Sequence, residues 1–256
     1  MFPEYTREEL AAGLDNVALT ILLAAGVEGP PVDAFHVARR LGITVALDDQ
    51  QGGRARYVRL ARRRAARGES VSCQPGQGKL RTCATILLRP DVREERRQWA
   101  VAHEIGEHAA HRVFAAWGAD PREVGPGARE EVANQLAGRL LLPTAWFAAD
   151  GRRLDWDLLA IKARYVTASH ELIARRMLEC SLPVIISIFD HQSLSFRRSN
   201  LPGRVPPPSP AELQCWRKVH DDNRPQEHYD GLRAVRGWPI HEDGWKREIL
   251  RAELEE

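Results

Sequence analysis

Residues 101–111 read VAHEIGEHAAH, and the fold turns on whether this run is a metal-binding helix. In the pattern His-Glu-x-x-His the two histidines stand four residues apart, which carries the second about 400° round an α-helix, so that both side chains reach one ion. Here His103 and Glu104 open the pattern, the place of the second histidine holds Glu107, and His108 arrives one residue late. A carboxylate is a legitimate zinc ligand through oxygen at about 2.0–2.2 Å. Glu107 therefore meets the spacing condition. On a regular helix His108 is turned about 140° from His103, and it reaches the same ion only through a π-bulge, which Gly106 would ease. Glu104 stands where the pattern places a general base acting on water rather than a ligand.

The polar pair His103 and Glu104 follows Trp99, Ala100, Val101 and Ala102. In so apolar a setting an unpaired polar group costs about 1–3 kcal/mol, so partners are required. A second helix is expected over residues 128–142, AREEVANQLAGRLLL, where Val132, Leu136 and Leu140 recur at period four and Pro143 ends the run. It offers Glu130 and Glu131 as a third ligand. Glu130 shares a face with Asn134, an amide placed to orient a carboxylate. Both acids also fit as first-turn charges that answer the helix dipole.

Working outward, residues 6–26 have Thr6 and Glu9 in capping-box spacing and a face of Leu10, Leu14, Val17, Ile21 and Leu22, closed by Gly26: an amphipathic helix. Residues 32–42 read as a short helix capped by Asp33, and ITVALDD as a strand. The stretch 54–67 holds seven arginines and no acid and reads as a loop or edge hairpin, an anion patch or simply a solvated surface. CATILLRP (83–90) reads as a strand ended by Pro90. Helices are expected at 154–164 and 169–180, a β-hairpin about an Asp-His-Gln turn at 183–200, and a proline-rich linker at 201–210. Residues 211–256 read as a charged tail in which Trp216, Trp238 and Trp245 pack on the main domain, while His220, His228 and His241 lack ligand spacing and read as surface residues.

With 256 residues, 43% of them hydrophobic, the chain can build one main domain and an appendage, and its formal charge of +2 gives no field that seeks a polyanion. Four cysteines without a Cys-x-x-Cys pair suit free thiols in a reducing compartment. No export signal and no apolar run of about 20 residues is visible, so a cytoplasmic protein without a membrane span is expected. Direct nucleic-acid binding, through the arginines or through a helix-turn-helix-like pattern at 159–178, is disfavoured, because that pattern fits a core helix pair as well.

Three ordered stretches resemble the ImmA/IrrE family of zinc-dependent metallopeptidases, whose members cut a transcriptional repressor or related regulator: VDAFHVARRLGITV, RRQWAVAHEIG and EEVANQLAGRLLLP. The resemblance covers roughly residues 30–180. It implies an α+β fold: a small zincin-like domain with a mixed or antiparallel sheet packed on helices, an active-site helix carrying HEIGEH, and a C-terminal hairpin and tail. The expected divisions are an N-terminal helix at 1–30, the metallopeptidase domain at 31–182, and the hairpin, linker and tail beyond. The resemblance implies ligand roles for His103 and Glu130 and the base role for Glu104. His111 occupies the place of a further family histidine, which keeps the motif in register and puts Glu107, rather than His108, at the second ligand position; Asn134 and His111 are the expected supporting residues. The runner-up is a His-Glu-x-x-x-His arrangement, resembling that of dipeptidyl peptidase III, with His108 as ligand.

One histidine and two glutamates would neutralise a divalent ion, so bound water would be a weaker acid, and manganese or iron come into competition with zinc. The implied activity is an endopeptidase acting on a separate regulatory protein. The alternative is a binding module that keeps the peptidase fold without cleaving.

Overall fold

The first helix begins where its caps are complete. Glu9 donates its backbone N–H to Thr6 Oγ1 at 3.1 Å, and the Glu9 carboxylate accepts the Thr6 N–H at 2.8 Å. This reciprocal box starts α1 (Arg7–Ala25), and Gly26, at φ 70°, ends it. The computed structural model describes residues 6–50, 52–62, 81–180, 182–230 and 233–254. The chain divides into two compact units, Met1–Thr144 and Ala145–Glu256.

In the first unit α2 (Ala34–Arg40) leads to strands β1 (Thr44–Leu47), β2 (Ala55–Arg62) and β3 (Arg81–Leu88), then to two long helices, α3 (Glu94–Ala116) and α4 (Pro126–Leu141). The sheet is mixed: β3 lies in the middle, parallel to β1 and antiparallel to β2. Ile86 and Leu88 of β3 and Val101, Ile105 and Val113 of α3 are buried, which places the core between the sheet and α3. Leu14, Val17, Ile21 and Leu22 of α1 and Leu136 and Leu140 of α4 complete it. The expected α+β fold, a mixed sheet packed on helices, is what the protein adopts.

The second unit holds α5 (Thr144–Arg153) past its first residue, α6 (Leu158–Arg164), α7 (His170–Met177), β4 (Val184–Asp190), β5 (Ser193–Ser199), α8 (Pro210–Asp222), β6 (Gln226–Asp230), β7 (Arg233–Glu242) and β8 (Trp245–Glu253). Its five strands run antiparallel in the order β5-β4-β8-β7-β6. One face meets α8 through Phe189, Cys215, Val219, Val235 and Leu250. A Cβ at Gly237 would stand 2.7 Å from Val219, so β7 and α8 touch this closely only because that residue is glycine. Residues of opposite parity face the other way, where Trp238 Nε1 donates to Asp157 at 3.0 Å.

Two expectations need correction here. Residues 211–256 are not a tail: they form α8 and three strands, and the division of the chain falls at Thr144. The charges that suggested a tail are engaged within the unit. Arg247 binds Asp190 and Glu171, each at 2.6 Å, and Arg236 binds Asp155 at 2.6 Å and Glu227 at 2.8 Å. The linker is likewise pinned. Arg197 donates to the Pro206 carbonyl at 2.8 Å and to Glu212 at 2.7 Å, and Glu212 closes a capping box with Ser209. Helix α5 has no counterpart in the sequence reading. Residues 63–67 of the arginine-rich stretch lie outside the described residues. Among the described residues, no helix is long and apolar enough to cross a membrane.

Candidate metal centre

Helix α3 is α-helical from Glu94 to Ala116, with no bulge in the motif. Gly106 serves a different purpose: a Cβ there would stand 2.6 Å from the Ala133 carbonyl oxygen. Only glycine lets α4 approach α3 this closely, and the approach brings the two polar faces together. His103 Nδ1–H donates to Asn134 Oδ1 at 3.1 Å, and Asn134 Nδ2 donates to Glu130 Oε1 at 3.1 Å. Asn134 thus fixes both residues. It sets the tautomer that leaves His103 Nε2 with a free lone pair, 3.6 Å from Glu130 Oε2.

His103, Glu107 and Glu130 each bring a ligand-type atom within 4.8 Å of the others. His103 is largely enclosed, and the Glu130 side chain is 58% exposed. Glu107 is exposed too. His108 lies outside this trio; its ring sits 4.9 Å from that of Tyr57 and 6.3 Å from that of His111. Burial, and secondarily the charges of His111, Arg59 and Arg112, hold its pKa below the ordinary histidine value. His111 Nδ1–H donates to the His108 carbonyl oxygen at 2.9 Å, and His111 is exposed. Glu131 is exposed and bonds Gln135 at 2.7 Å.

Glu104 stands beside this trio and also reaches the sheet. It is 5% exposed and accepts the Tyr57 backbone N–H from β2 at 2.6 Å. Burial raises its pKa, Glu107 and Glu130 add to the rise, and the Tyr57 N–H and His103 oppose it. A carboxyl tuned upward holds a proton more readily, which suits a group that must take one and give it back. The donor set of one imidazole nitrogen and carboxylate oxygens fits a divalent metal ion.

Thiol chemistry offers no competing centre among the described residues. Cys180 and Cys215 are free, and burial pushes each up to about 11. Of the arginine stretch, Arg54 lines a cavity of about 270 Å³ with Arg89, Arg96 and Arg97, beside Asp91. The sequence reading missed one group. His220, His241 and Glu248 also bring ligand-type atoms within 4.8 Å, and they come from a helix and two strands, so spacing along the chain could not announce them.

The family described as IrrE N-terminal-like domain, peptidase M78, matches residues 38–178. No curated protein matches the chain. Among solved structures, a Mycobacterium tuberculosis transcriptional regulator superposes with a TM-score of 0.60 at 18% identity, over 93% of this chain and 74% of that one; the likeness is one of fold.

Proposed function

The chain belongs to the IrrE N-terminal-like family of M78 peptidases, and we propose that it is a metal-dependent endopeptidase acting on a separate regulatory protein. The observation that supports this most directly is the convergence of His103, Glu107 and Glu130 beside the buried, upward-shifted Glu104. In this reading His103 Nε2 and the carboxylates of Glu107 and Glu130 hold a zinc ion, or manganese or iron, with Asn134 orienting the first and last of them. When bound, such an ion lowers the pKa of water and polarises a scissile carbonyl.

The chain's own residues supply the rest. Glu104 takes the proton of the attacking water on one carboxylate oxygen while Tyr57 N–H steadies the other. It then passes the proton to the departing amine. Among the described residues β2 is an edge strand next to α3, so an extended peptide can pair along it and lie across the motif. The regulator-type substrate is what membership of the family implies.

The test is zinc content after equilibrium dialysis, followed by hydrolysis of a quenched-fluorescent peptide mixture. His103→Ala and Glu130→Ala should each remove about one ion per chain and abolish hydrolysis. If both variants keep the wild-type ion content, the centre is not here; if the ion is present and lost as expected but the wild type hydrolyses nothing, the binding-module alternative takes its place.

A further inference from the structure

The cluster in the second unit does not depend on the peptidase reading. His220 lies in the last turn of α8, His241 on β7 and Glu248 on β8. In the register of the hairpin His241 pairs with Lys246 and Pro239 with Glu248, so His241 and Glu248 project from one face of the sheet. That is the face covered by α8, because Gly237 and Leu250 on it meet Cys215 and Val219. The geometry follows from the topology. His220 Nδ1 lies 2.8 Å and His241 Nε2 2.7 Å from the same oxygen, Glu248 Oε1. The other oxygen accepts Trp216 Nε1–H at 3.1 Å.

Burial makes this arrangement demanding. The Glu248 side chain has 0% exposure, and those of His220 and His241 have 16% and 11%. A carboxylate withdrawn from water needs an opposing charge, and the penalty without one is several kcal/mol. Among the described residues its hydrogen-bond partners are two imidazoles and an indole, with no lysine or arginine. Two imidazole nitrogens and one carboxylate oxygen are donors that zinc accepts. A divalent ion among them would replace two N–H···O bonds by coordination and set positive charge against the buried carboxylate.

The surroundings suit that exchange. With Nδ1 turned to an ion, His220 must hold its proton on Nε2, where the Gln192 amide lies 3.4 Å away; rotation of that amide presents its oxygen to the proton. Trp216 holds the second carboxylate oxygen and stacks on Phe189 at 4.8 Å, so the ligand cannot swing. Metal-binding histidines and carboxylates are held in place by contacts of this kind. We infer that His220, His241 and Glu248 form a second site for a divalent transition ion of the zinc class, one that ties α8 to the β7–β8 hairpin.

The probe is zinc alone, added to the metal-stripped full chain in the His103→Ala background, which removes the proposed peptidase ligand set. This chain should bind about one zinc in equilibrium dialysis, and zinc should raise its melting temperature. Adding His241→Ala or His220→Ala should abolish both effects, and Glu248→Gln, which keeps the shape, should weaken zinc binding at least about tenfold. Cobalt(II) should give a ligand-field absorption band in the His103→Ala chain that His241→Ala removes. The inference fails if the His103→Ala chain binds no zinc, or if it binds zinc equally well after His241→Ala with circular dichroism unchanged. The two readings separate in the wild type. About two ions per chain supports both, whereas about one ion, lost with His241→Ala but not with His103→Ala, supports this site and removes the peptidase centre.

Discussion

Around His103 the carboxylates face water, with Glu130 58% exposed on its side chain, whereas around His220 and His241 the carboxylate of Glu248 has no exposure at all. The two clusters use the same functional groups. What differs is where the enclosed carboxyl sits. Between α3 and α4 the enclosed acid is Glu104, which stands beside the trio and bonds a strand edge, so the three candidate ligands keep open space for a substrate. In the second unit the enclosed acid is itself a member of the trio and fills the interior between α8 and the sheet. An open cluster with a neighbouring base can do chemistry; a closed one without a base can only hold its elements together.

The sharpest way to break this comparison is to place the same change in both clusters. Glu104→Gln should lower peptide hydrolysis by about 100- to 10,000-fold while leaving bound metal unchanged, and Glu248→Gln should leave the rate per folded chain as it was. Equal losses of rate would mean that the clusters do not divide the work this way. Next in size is stability. Glu248→Ala strips two histidines and Trp216 of their shared partner and should cost about 3 kcal/mol in urea denaturation, against almost nothing for Glu130→Ala, a surface change.

The third effect concerns how the open cluster is assembled. Gly106→Ala drives a methyl group against the Ala133 carbonyl and should destabilise the first unit by about 1–3 kcal/mol, with a fall in metal affinity because Asn134 moves away from His103. Unchanged affinity would show that Asn134 does not depend on this contact. The smallest effect is one of pH. Burial pushes the Asp150 carboxyl up, but hydrogen bonds from Arg153, Arg164 and Tyr165 outweigh it and leave the pKa below the ordinary aspartate value. A pKa depressed on folding contributes stability that is complete above the unfolded value near about 3.9 and is lost as pH falls through the folded one. Asp150→Asn should therefore flatten the decline in melting temperature below about pH 4, and Glu104, whose shift has the opposite sign, should contribute nothing to that acid limb.

How much of this the sequence discloses depends on which period brings the residues together. His103 with Glu107, and Glu130 with Asn134, are neighbours through the turn of a helix, and that turn is written into their spacing. Local patterns mark α1, α2, β1 and β3 one by one, whereas the α+β class and a mixed or antiparallel sheet are what the family resemblance implies. His220, His241 and Glu248 meet through strand register and the docking of α8, which no local spacing encodes. Strand β8, WKREILRAE, reads as charged, yet Glu248 and Arg251 are buried, Glu248 is bonded by Trp216, and Arg247 is paired with Asp190 and Glu171. Ser209 and Glu212, by contrast, formed a capping box in plain view. The prolines before it read as a linker and mask the helix start.

The contact between Gly106 and Ala133 has a consequence for how such a centre can change over time. What holds α3 to α4 there is backbone against backbone, so the span between the helices does not depend on which side chain stands at position 107. Exchanging a carboxylate for an imidazole at that position alters the charge of the cradle and leaves its width alone. Metal preference can therefore drift by single substitutions on an unchanged scaffold. The buried cluster of the second unit has no such freedom, because Glu248 is at once a donor and part of the core.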